Sequence, residues 1–136
     1  MLAAALWWGS LSAIGFLAVP LLFTHLPTPA AAGQMAARLF TGQAWVSIAC
    51  GLLLLMSSRR GEAPSMDWGR GALPFVAAGL LLALLLEFAV APRIAARIDL
   101  KVWHTVGSAM FLAQWVCAAT VLWRLAVPGA NPPAAS

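Results

Sequence analysis

The stretch Ala72–Ala91, "ALPFVAAGLLLALLLEFAVA", contains a single ionisable residue, Glu87, and is otherwise apolar. A helix of about 20 such residues spans the hydrocarbon core of a bilayer. In lipid a backbone must satisfy its own polar groups, which leaves helices and closed barrels as the spanning structures. Three further stretches of similar character follow from the same reading, and nothing between them is long enough to make a water-soluble domain. The expected architecture is an all-α integral membrane protein, a bundle of four antiparallel transmembrane helices with spans of about 2–23, 30–56, 72–91 and 102–127. A polar linker, "SSRRGEAPSMDWGRG", separates the second and third spans, and the Pro- and Ala-rich tail 128–136 is expected to be disordered.

The composition agrees with this class. Of the 136 residues 62% are hydrophobic and only 9% charged, against about a quarter charged in soluble domains. The net charge of +4 resides at span ends, where basic residues anchor to headgroups, and no basic run forms a nucleic-acid patch. Cys50 and Cys117 lie in apolar spans and form neither a disulfide framework nor a paired-cysteine metal motif. The N-terminus lacks the positive region of a signal peptide and reads as a retained first span. Basic residues tie across the two sides; the Arg59–Arg60 pair at a span end and the N-terminal amine favour a cytoplasmic linker 57–71.

Local signals place the helix ends. Thr28 is a candidate N-cap with Pro29 at the first helical position. Pro20 is expected to disturb the first span near its end, Pro92 to end the third, and Asp99 to cap the fourth. The spacing of Arg93, Arg97 and Lys101 predicts a basic stripe on a short interfacial helix. Trp7, Trp8, Trp68 and Trp123 read as an interface belt. The loops differ too much for the two helix pairs to read as a repeat.

In an antiparallel bundle, the ends of spans one and three meet the starts of spans two and four. That gathers the chemically diverse residues at one mouth: His25, Arg38, Glu87 and His104, with Ser108 and Gln114 further along the last span. Glu87 carries an insertion cost of about 2.5–3.5 kcal/mol, so a partner such as Arg38 or His104 is expected. The alternatives are a proton, metal or substrate role, or reaching out to the interface. His104, Gly107, Ser108, Phe111 and Gln114 share a broad helical face expected to look inward. Gln43 and Gln114 lie at matching depth and invite an inter-helix hydrogen bond, and Trp45 and Trp115 read as packing residues. His25 and His104 together raise a bis-histidine haem or metal site, but the ligand spacing of such sites is lacking, and no cofactor or metal is expected. Enzyme motifs are missing too. The expected partners are the bilayer itself and anionic lipid, another membrane protein or a second copy of the chain.

Two stretches carry a family resemblance. "LWWGSLSAIGFLAVPLLFTHLPTPAAAGQMAARLF" has a small-residue-rich span ending in P-x-x-F, followed by L-P-x-x-x-A-G, and "FAVAPRIAARIDLKVWHTVGSAMFLAQW" has P-R after a span and then W-H-x-x-G-S. Over about Leu6–Leu125 the chain resembles the bacterial branch of the transmembrane-protein-205-like family, domain of unknown function 4149. The resemblance implies a small four-helix protein of the bacterial inner membrane with no settled biochemical role. Animal relatives are associated with platinum-drug export. On that resemblance the family's His-x-x-Gly-Ser-type motif falls on His104 and Ser108, and Gln114 matches its deeper amide loosely. The function classes it leaves are a non-enzymatic scaffold or accessory subunit, a transporter, and a haem- or metal-binding redox protein.

Overall fold

The computed structural model describes residues 1–58 and 71–127; most of the linker, with Arg59, Arg60, Trp68 and Arg70, and the tail expected to be disordered lie outside the described residues. Four helices are long and apolar enough to cross a membrane: α1 (Leu2–His25), α2 (Pro29–Ser58), α3 (Leu73–Ala95) and α4 (Leu100–Ala126). The protein is a multi-pass membrane protein with an all-α fold. α1 and α3 each pack against both α2 and α4, so the helices form a square in chain order with α1 and α3 on one diagonal. A linker of a few residues joins α1 to α2, and another joins α3 to α4, so both junctions lie at the same end, the mouth. Thr28 caps α2, its Oγ1 accepting the Ala31 N–H at 3.2 Å.

Prolines shape α1 and α3 in the same way. Pro20 and Pro92 each follow a π-helical turn, Ala13–Ala18 and Leu86–Val90. In both, the residue before the proline donates its N–H five positions back: Val19 to Ile14 and Ala91 to Leu86. A proline cannot donate and its ring crowds the preceding turn; widening that turn by one residue relieves the crowding and lets the helix run on. α3 therefore does not stop at Pro92. It ends at a Schellman turn, in which Ile98 N–H bonds Arg93 O and Arg97 N–H bonds Ile94 O, with Arg97 in the left-handed region at φ 56°. Asp99, also left-handed at φ 38°, starts α4 without a side-chain cap. The expected interfacial helix is thus a tight turn. Arg93 belongs to α3, Arg97 to the turn and Lys101 to α4, so the three form no single helical stripe.

The core is concentrated at the end opposite the mouth. Ala4, Trp7, Leu11, Cys50, Leu54, Ala72, Val76, Ala118 and Val121 form it. Trp7 is its centre, fully buried and reaching across the diagonal to α3, where a Cβ on Gly79 would lie 2.6 Å from its ring. Trp7 is therefore a packing residue and not part of an interface belt; Trp123, 71% exposed, is where a belt residue would be. Arg124 closes this end, donating to Gly71 O at 3.0 Å and stacking over Phe75 at 4.8 Å.

The buried positions reveal an internal two-fold that the loops hide. On α1 the buried residues are Ala4, Trp7 and Leu11; on α3 they are Leu73, Val76, Gly79, Ala83 and Val90, and Val76, Gly79 and Ala83 among them repeat the three-then-four spacing of α1. On α4 the buried residues are Gln114, Ala118 and Val121, and Gln43, Ser47 and Cys50, three of the buried residues of α2, follow the same spacing. Phe16 and Pro20 recur as Phe88 and Pro92, and Phe40 and Gln43 recur as Phe111 and Gln114. The pairs α1–α2 and α3–α4 thus share part of one pattern of burial, although their loops differ too much to read as a repeat.

Candidate functional site

Helix direction decides which polar residues of the mouth face inward. On α4 the inward line runs through Gly107, whose Cβ position lies 3.3 Å from Val90, then Phe111 and the buried Gln114, Ala118 and Val121. His104 and Ser108 fall beside that line and are exposed. The face expected to look inward was too broad, because a helix buried against two neighbours hides only a narrow stripe. Arg38 is exposed too, and Glu87 is half-buried in the π turn of α3. Among the described residues, no ion pair or hydrogen bond joins Glu87 to Arg38 or His104, and the expected closed polar cluster is not formed.

The other mouth residues are held locally. His25 Nδ1 lies 3.0 Å from Leu21 O and 2.8 Å from Thr24 Oγ1. A carbonyl only accepts, so Nδ1 carries the proton and the ring is tied to the end of its own helix. It lines an open apolar cleft with Leu21, Leu22 and Leu26. Arg93 donates to Ala89 O at 2.6 Å, inside the π turn, and its guanidinium stacks over Trp103 at 4.7 Å. The mouth is then a ring of outward polar groups, His25, Arg38, Arg93, Arg97, Lys101, His104 and Ser108, with Glu87 set deeper. Among the described residues no group of three or more His, Cys, Asp or Glu is placed to hold a metal, and Cys50 and Cys117 are free thiols.

Deeper in the bundle a second polar group appears, which sequence reading found only in part. Gln43 does not bond Gln114. Its Nε2 donates to Ser10 Oγ at 3.0 Å and Ser47 Oγ at 3.2 Å, while Ser10 Oγ donates to Trp7 O. Trp115 Nε1 donates to Ser12 Oγ at 2.9 Å, so that α1 supplies hydroxyls to both α2 and α4. Ser10 and Ser12 belong to the small-residue-rich part of the first span. Their alternation along α1 offered the missing signal, because a serine in lipid needs a partner. Toward the mouth this layer is covered by Phe40 and Phe111, edge-to-face with centroids 5.4 Å apart, and Phe111 fills the space over Gly15. Trp45 pairs with Phe88 and Trp115 with Phe16 at the flanks.

A family model described as a domain of unknown function (DUF4149) matches residues 2–102. The match takes in α1, α2 and α3 and stops just short of His104. No curated protein and no solved structure matches the chain.

Proposed function

The chain belongs to the DUF4149 family, and from that premise we propose that it is a non-enzymatic accessory subunit of the bacterial inner membrane, which binds another integral membrane protein through its mouth. The observation that carries this reading is the outward turn of the mouth's polar residues. Arg38, Arg97, Lys101, His104 and Ser108 are all exposed, although a catalytic or conducting group would be expected to converge on an interior. Cationic side chains displayed at a span end suit a partner with acidic side chains at the same level. The apolar surface beside them, with Phe16 at 57%, Phe88 at 62% and Phe23 at 53% exposure, supplies contact area on the same half of the bundle. The linker 57–71 belongs on the cytoplasmic side, supported by its arginine pair.

The test is recovery of a co-purifying membrane protein in mild detergent. Replacing Arg38, Arg97 and Lys101 together by Gln is expected to reduce that recovery about tenfold or more, whereas Met56→Ala at the opposite end leaves it unchanged. Isolation of the chain alone from mild detergent, with no partner at any expression level, overturns the reading. A permeation role is the second reading, favoured by the buried polar layer. It predicts solute flux in proteoliposomes of the pure chain, which an accessory subunit does not give.

A further inference from the structure

Among the described residues four buried polar atoms have no hydrogen-bond partner: Gln43 Oε1, Gln114 Nε2 and the indole Nε1 of Trp7 and of Trp8. Gln43 is 3% exposed, Gln114 2% and Trp7 fully buried, so solvent at the surface does not serve them. The first is an acceptor and the other three are donors. Leaving such groups unmade inside a bilayer is costly, and buried polar groups in proteins are nearly always paired, to protein or to ordered water.

Their placement makes the orphans complementary. Gln43 and Gln114 are equivalent residues of the two hairpins, on helices that run in the same direction. Each lies three residues, or about one turn, beyond its phenylalanine, and those phenylalanines touch. The two amides therefore sit at one level, on either side of the pseudo-twofold axis, with an unmet acceptor on one and an unmet donor on the other. Trp7 belongs to the adjoining turn, since Ser10, the partner of Gln43, bonds the Trp7 carbonyl. Among the described residues no Asp, Glu, Lys, Arg or His is buried, so the chemistry here is neutral.

We propose that Gln43 and Gln114 bind ordered water on the pseudo-twofold axis, in a layer with the Phe40 and Phe111 rings on its mouth side. Water both accepts and donates, and a buried water typically makes about three hydrogen bonds to groups otherwise unsatisfied. It meets Gln114 Nε2 as acceptor and Gln43 Oε1 as donor. The two hairpins are then joined at mid-bundle through solvent, while their direct packing lies nearer the core end.

The test uses the full chain in proteoliposomes with labelled glutamine side chains, probed by magnetisation transfer from water in solid-state NMR, together with thermal melting of Gln114→Met. The expected result is strong transfer from water to the Gln114 side-chain amide and a melting temperature lowered by roughly 3–6 °C in the variant. Absence of that transfer in the wild type overturns the proposal whether or not the variant folds. Transfer with an unchanged or raised melting temperature overturns it as well, because an amide that merely touches water is not bridged. A lowered melting temperature without transfer assigns the loss to a direct bond between the two amides, and likewise ends the water site.

Discussion

The two ends of this bundle are built on different terms. At the core end, each helix contributes a large or close-fitting side chain to one cluster, Trp7 lies against Gly79, and Arg124 ties α4 to the start of α3. At the mouth the second half of α1, from Ala13 to His25, has no buried residue at all, and the last two turns of α3 have only Val90. Both of these loosely packed segments carry a π turn and a proline. Without a hydrophobic force between helices in lipid, association rests on close van der Waals packing and inter-helix hydrogen bonds. The core end therefore holds the bundle together, and the mouth is released to present side chains outward.

The largest expected effect tests the core end. Trp7→Ala should cost about 3–5 kcal/mol, read as loss of the folded bundle in denaturant titration. Gly79→Ala, which drives a Cβ into the Trp7 ring, should cost about 1–3 kcal/mol. Gly15→Ala meets Phe111 as closely, at 2.6 Å, but should cost less because Phe111 is only half-buried and able to swing toward the mouth. Equal penalties at Gly15 and Gly79 would break the contrast.

Glu87 gives the next effect, with the opposite sign. It is half-buried and without an ion pair or hydrogen bond among the described residues, so it retains an insertion cost that pairing would have offset. Glu87→Gln should raise the melting temperature, by a few degrees for about 1 kcal/mol, and a lowered one would reveal a stabilising partner. The smallest effects belong to His104→Ala and Ser108→Ala, within about 0.5 kcal/mol by the same titration, since both are exposed. A penalty above about 1.5 kcal/mol at either would return them to the packed interior.

Some of this was legible before any fold was built. Length and hydropathy determine the four spans, because a bilayer sets the helix length and forbids unpaired backbone. Thr28 and Pro29 mark the start of α2 because a capping oxygen and a missing donor are local matters. Which residues meet was another question. The sequence put Gln43 and Gln114 at one depth, but the hydroxyls of Ser10 and Ser47 took the Gln43 amide, a choice made by the angular position of three helices at once. His104 faces outward for the same reason, since a rotation of part of a turn moves a residue from the seam to the surface and one helix's periodicity leaves that rotation open. Pro92 did not end α3, because the π turn before it absorbed the missing donor and the left-handed Arg97 made the stop. The partial two-fold between hairpins has sequence markers, Phe16 and Pro20 with Phe88 and Pro92 and Phe40 and Gln43 with Phe111 and Gln114, but the residues between them differ, and what those share is a position against a neighbour. Composition and local chemistry thus determined what the chain spans and where its helices begin, and tertiary packing decided which polar groups are enclosed and which are displayed.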